Sequence, residues 1–359
     1  MSAAQAQTTS PGRSPTRSPT GAPTGPAEGP IAADPAFETE DERSETASLA
    51  SSSTSLTESI YEYRRIHGRT YTQKTEYYGP NDEKQNEGLD LQHYAKTLFL
   101  DNRLFLAPIG ENPQRVLDLG TGTGIWAIDF ADEYPSAEVV GTDISPIQPS
   151  WVPTNCKFQI DDYDQMPWTW PANHFDFVHV GHLEGCVSDW PAFYEQAFEV
   201  LKPGAWIEVK HWDVETYSQT NPDLPESHPF RQWPKLMFAA LDKIGKTGSQ
   251  HVDHGIAKNL EAAGFVDVVE KKWPIPTGGW ASDPKLREVG ECQLEFLDQS
   301  LEGFGTFLLK EFHGWEYAEI LVFMAEVRKA MKDATLQPYL NLYLVYARKP
   351  EAPEGETTD

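Results

Sequence analysis

Residues 116–124 read VLDLGTGTG, and this stretch constrains the chain more than any other. A short apolar run carrying one acidic residue is followed by three glycines alternating with threonines. The run has the length of a buried strand, and the apolar segment Ile125–Glu133 after it has the length of a short helix. Glycine permits positive φ and close approach of a ligand to the backbone, and a helix N-terminus offers free N–H groups. A strand that ends in such a turn places a ligand site at its carboxyl end, as in open α/β sheets.

The rest of the chain is consistent with that class. Strands are expected at 115–119, 138–142, 156–160, 175–180, 205–210, 265–272 and 337–348. Helices are expected at 125–133, 190–201, 230–245, 253–263, 283–301 and 314–333, with Lys202-Pro203-Gly204 stopping the second. Repeated alternation implies a largely parallel sheet covered by helices on both faces. Before it, Asn81-Asp82 reads as a helix start, and Leu91, Tyr94, Ala95 and Leu98 recur at helical spacing. An N-terminal cap of loops plus one helix is expected over 59–112.

The glycines also narrow the ligand. Gly120, Gly122 and Gly124 give GxGxG rather than the GxGxxG of dinucleotide sites, and no GxxxxGK[ST] is present. Asp118 stands two positions before Gly120, which suits a cationic amino-acid group better than a pyrophosphate. Asp143 falls 23 residues after Gly120, at the end of the second of these strands, where a carboxylate can accept from a ribose diol. Asp161-Asp162 follows the third strand, within reach of an exocyclic amine. Each aspartate alone reads as a turn or cap residue. Three at the ends of consecutive strands spell adenosine joined to a cationic amino acid, which is S-adenosylmethionine.

The segment VLDLGTGTGIWAIDFADEYPSAEVVGTDISPIQPSWVPTNCKF resembles the fungal LaeA-like methyltransferases, as do HGRTY (67–71), YGPNDE (78–83), LDLQH (89–93), DWPAFYEQAFEVLKPGAWIE (189–208) and YLVYARK (343–349). The resemblance covers roughly 60–349. It implies a Rossmann-like class I methyltransferase: α/β, a seven-stranded, mostly parallel sheet with an antiparallel last strand, and S-adenosyl-L-methionine as cofactor. It further implies that Asp118, Gly120, Thr121, Gly122 and Gly124 line the methionine end. Asp143 then binds the ribose, Ile144 packs on adenine, Asp162 and Tyr163 meet the adenine edge, and Tyr71 closes over from the cap.

Transfer of a methyl group to a protonated nucleophile needs a base. His182 and Glu184 follow the fourth strand, and His211 and Asp213 follow the fifth. His182 is the first candidate base and His211 the second; the alternative is that these histidines hydrogen-bond within the pocket wall. His251 and His254 have i, i+3 spacing but suit a surface helix face better than a metal site. The insert 280–336 is expected to be a substrate lid, with Phe296, Phe304, Phe307, Phe312 and Trp315 shaping specificity. The acceptor is a small molecule or a protein. The competing reading is a non-catalytic, cofactor-binding regulatory subunit working through protein partners.

The formal net charge of −26 argues against sequence-independent binding to nucleic acid. Three widely spaced cysteines form neither a disulfide framework nor a CxxC pair, which suits an intracellular compartment, cytoplasmic or nuclear. No secretory pattern opens the chain, and no apolar run approaches the roughly 18 residues of a membrane span. Residues 1–58, rich in Ser, Thr, Pro, Ala and Gly, are expected to be a disordered tail, and 350–359 an acidic one.

Overall fold

The structure, a computed structural model, describes residues 29–32, 62–73 and 77–352. The tail expected over 1–58 therefore lies outside the described residues except for 29–32, as does 353–359.

The cap holds more than loops and a helix. Strands β1 (Arg64–Ile66) and β2 (Arg69–Tyr71) pair antiparallel. His67 (φ 46°) and Gly68 (φ 85°) both turn left-handed between them, the geometry of a two-residue hairpin. Helix α1 (Glu83–Phe99) starts where Asp82 accepts the Gln85 N–H at 3.1 Å. Arg69 holds the same carboxylate at 2.6 and 2.9 Å, so the hairpin and the helix share one cap.

The sheet then assembles from β3 (Arg115–Leu119), β4 (Glu138–Asp143), β5 (Cys156–Ile160), β6 (Phe175–Gly181), β7 (Leu201–Trp212), β8 (Tyr217–Ser218), β9 (Val266–Pro276) and β10 (Pro338–Arg348). The order is β5-β4-β3-β6-β7-β10, with β9 along the outer side of β10. Strands β3 to β7 run parallel, and β10 is antiparallel to both β7 and β9. These are the seven strands of the expectation; the eighth, β8, is a two-residue pairing with Pro338 and Tyr339.

Alternation along the strands sorts their side chains into two cores. Val116, Val139 and Phe177 pack with Trp126 and Phe130 of α2 (Ile125–Glu133). Leu117, Val140 and Val178 face the other way, into the core shared by α3 (Trp190–Val200), α4 (Pro229–Lys243) and α5 (Gly255–Ala262).

The insert differs from the expected pair of helices. Helix α6 (Pro284–His313) runs 30 residues and ends at Gly314, which is left-handed (φ 70°); α7 (Tyr317–Lys332) follows. Gly303 and Gly305 fall inside α6 and would weaken an isolated helix. Here they permit close approach: a Cβ on Gly303 would lie 2.3 Å from Pro80, and one on Gly305 2.9 Å from the Met324 sulfur.

Candidate active site

Strand order reverses between β3 and β6, and a crevice opens beyond their carboxyl ends, where open α/β sheets bind ligands. The glycine turn forms one wall. Gly120, Gly122 and Gly124 all have positive φ (68°, 59° and 83°), so the alternation in the sequence meets a backbone requirement. The Thr121 N–H donates to Thr142 O at 2.8 Å, and the Gly122 N–H to Asp143 Oδ2 at 2.8 Å. Asp143 Oδ1 accepts from Ser145 N–H at 2.9 Å. Burial pushes the Asp143 carboxyl up to about 6, although these N–H donors oppose the shift.

A cleft is lined by Asp118, Gly120, Thr121, Gly122, Asp143, Ile144, Tyr163 and His182 among the expected residues. Asp162 borders an outer cavity that shares Ile144 and Tyr163 with it. Gly124 does not line the cleft; a Cβ there would lie 2.2 Å from the Phe158 ring, so its role is packing. Tyr71 is also elsewhere. It is fully buried, donates to Gly303 O at 2.8 Å and stacks on Phe307. The tyrosine that the cap brings to the cleft is Tyr77.

Asp118 faces inward more than outward. Its oxygens accept from Thr121 Oγ1 at 2.6 Å and lie 2.7 Å from His179 Nδ1. His179 Nε2 lies 3.1 Å from Lys210 Nζ, and the His179 ring stacks on Trp126 at 3.7 Å. Burial, and then the charges of Lys210 and Lys96, hold His179 well below its usual range, so it is neutral: Nδ1–H donates to Asp118 and Nε2 accepts from Lys210. Burial raises Asp118 to about 7. This chain of partners fixes the floor of the turn.

Lys96, on α1, also lines the cleft. Its ammonium lies 3.4 Å from Gln92 Oε1 and has no carboxylate within ion-pair distance among the described residues. Burial, reinforced by Lys210, lowers it to about 7. Neither lysine stood out in the sequence. For Lys96 the signal was a lysine set between Gln92, Ala95 and Phe99 on the buried side of α1.

A second cavity adjoins the first and shares Tyr77, Leu89, Gln92, His182 and Cys186 with it. Trp212, Trp233, Phe296, Leu301, Phe304 and Met331 make its wall largely apolar. Of the expected lid aromatics, Phe296 and Phe304 reach it; Phe307, Phe312 and Trp315 pack away from it.

His182 stands where the two cavities meet. It is left-handed (φ 61°), and its Nδ1 lies 3.3 Å from Glu184 Oε1. Nε2 has no protein partner. Burial, then Lys96 and Lys210, hold its pKa well below the usual histidine range, so the ring is neutral. Nδ1–H donating to Glu184 leaves the Nε2 lone pair unused. Glu184 is fixed in turn by the Trp212 N–H at 2.5 Å.

His211 lines neither cavity. It is fully buried, 3.2 Å from both His251 and Gln250, and burial lowers it to about 4. His251 is therefore buried against His211 rather than part of a surface face, while His254 is exposed beside Glu270. Among the described residues no group of three or more His, Cys, Asp or Glu stands together as a metal set, and no helix is long and apolar enough to cross a membrane.

A family model described as a methyltransferase domain matches residues 91–270. Methyltransferase pytC of Aspergillus terreus is 35% identical over 304 residues, which is 84% of this chain and 92% of that protein. Secondary metabolism regulator LAE1 of Cochliobolus heterostrophus is 31% identical over 280 residues, 77% and 90% of the two chains. Protein-methionine methyltransferase laeA of Emericella nidulans is 30% identical over 292 residues, 80% and 77%. The strand order, the glycine turn at its switch point and these matches agree: the chain belongs to the methyltransferase family that contains pytC and the LaeA regulators.

Proposed function

We propose that this protein methylates a small, largely apolar acceptor held in the second cavity, with S-adenosyl-L-methionine held in the first. The observation that carries the reading is His182, set between two cavities with one nitrogen held by Glu184 and the other without a partner.

The cleft suits the cofactor. Two left-handed glycines, Gly120 and Gly122, clear the cleft side of the turn, Asp143 retains lone pairs for a ribose diol, and Lys96 supplies a cation for the amino-acid carboxylate. When bound, S-adenosylmethionine supplies an already activated methyl group. The chain's residues then have three tasks. The cavity walls hold the acceptor in line and exclude water; alignment of two reactants contributes about 7–11 kcal/mol in favourable cases. His182 Nε2 takes the proton of an acceptor hydroxyl or amine, and Glu184 stabilises the imidazolium that results. Neutral Trp212, Gln92 and Gln293 orient the acceptor without adding charge.

The relatives' names include secondary metabolism regulators as well as methyltransferases, so a regulatory role through the same cofactor site is the second reading. Calorimetric titration with S-adenosylmethionine and S-adenosylhomocysteine tests the first. Asp143→Ala should lose about 1.5–3 kcal/mol of binding, roughly 10- to 100-fold in affinity, while His182→Ala keeps it. Absence of binding by the folded parent protein would overturn the enzyme reading and, with it, any regulatory role that runs through the cofactor site.

A further inference from the structure

We propose that residues 29–32 form an intramolecular anchor that docks on the edge of the sheet and holds the first turn of α6 in place. The segment reads Gly29-Pro30-Ile31-Ala32, and it is seated far in sequence from everything it touches. Ile31 is only 6% exposed and forms a separate apolar cluster with Trp280 and Ala281, flanked by Leu286 and Tyr339. Trp280 is itself fixed, its indole N–H donating to Pro338 O at 3.0 Å.

The main chain of the segment is read as well as its side chain. The Ile31 N–H donates to Gln219 Oε1 at 2.9 Å, and the Ile31 carbonyl accepts from Gln219 Nε2 at 2.8 Å. One amide side chain thus copies the paired rung of an added strand, the mode by which sheet edges capture extended peptides. Gln219 is oriented for this by Gln337 Oε1, which accepts from the same Nε2 at 2.8 Å. Next, the Ala32 carbonyl accepts from both the N–H (2.7 Å) and the Oγ (3.0 Å) of Ser282. Pro30 limits the freedom that the segment loses on docking.

Position gives the contact its consequence. Ser282 immediately precedes Asp283, the N-cap of α6, whose side chain accepts the Leu286 N–H at 2.9 Å. Leu286 packs on the Ile31 cluster. Further along the same helix, Gln293, Phe296, Leu301 and Phe304 form a wall of the second cavity. An anchor at Ser282 therefore restrains the end of the helix that shapes the cavity, and its release would loosen that wall.

Hydrogen exchange on the full chain tests this without a known acceptor. Ile31→Asp and Gln219→Ala should each accelerate amide exchange across 280–290 by roughly tenfold or more and leave 115–124 unchanged. A peptide of residues 27–34, added to the Ile31→Asp protein, should restore protection there; the same peptide with aspartate at the isoleucine position should not. Unchanged exchange in both variants would overturn the anchor. So would acceleration that the parent peptide fails to reverse, since that would reflect general destabilisation. The readout does not depend on methyl transfer, so it stands or falls separately from the proposed activity.

Discussion

Lys96 brings a half-buried ammonium into the cleft with Asp118, Glu184 and Lys210 as the charged groups that act on it. A buried charge is costly unless it is answered, and the carboxylate of the proposed cofactor would answer this one. Lys96→Gln should therefore weaken S-adenosylmethionine about 10- to 100-fold, the range for a hydrogen bond to a charged group. Binding of 5′-methylthioadenosine, which lacks the amino-acid group, should be unaffected. An equal loss for both ligands would sink the assignment. The pH dependence has a definite sign. Lys96 in the free protein loses its proton as pH rises through about 7, and a bound carboxylate favours the protonated form. Affinity of the parent protein should therefore fall between pH 6.5 and 8.5 relative to that of the variant, with proton uptake on binding at the upper end. Titration in buffers of different ionisation enthalpy measures that uptake.

At the scale of elements, α6 is the member that joins the cap to the sheet. Gly303 brings its backbone against Pro80, Tyr71 donates to the Gly303 carbonyl, and Gly88 of α1 sits against Phe296. Gly303→Ala would normally favour a helix by roughly 0.5–1 kcal/mol. Here the added Cβ meets a proline ring at 2.3 Å, and overpacking of that kind costs about 1–3 kcal/mol. Urea unfolding should show net destabilisation; a stabilised variant would mean that the cap moves aside freely. The elements also show what was legible. β3, α2 and β5 have the bounds that periodicity and turn chemistry assign, because each is delimited by its own neighbours in sequence. The β1–β2 hairpin and the full length of α6 were not legible. Two three-residue strands carry too little periodicity, and Gly303-Phe304-Gly305 reads as a break until the partner surfaces are present.

For the whole molecule, charge and shape act together. The chain carries a net charge of −26, and two adjoining cavities lie by its largely parallel sheet. Phosphate backbones are repelled at long range, and lowering the salt strengthens that repulsion. A mobility-shift assay with duplex DNA at about 50 mM salt should show no complex at micromolar protein; a salt-sensitive complex would reveal a local basic surface that the total charge conceals.

The sequence by itself determined the order of the main strands and helices from β3 onward, the left-handed glycine turn and the carboxylate at the end of β4, because these depend on residues a few positions apart. It also supplied His182 and Glu184, which share one loop. Only the tertiary structure separated His182 from His211, putting one between the cavities and the other behind the wall. It likewise replaced Tyr71 with Tyr77 at the cleft, and it brought Lys96 of α1 to the glycine turn of β3. Burial and partnership are set by elements distant in the chain, and no local pattern carries that information.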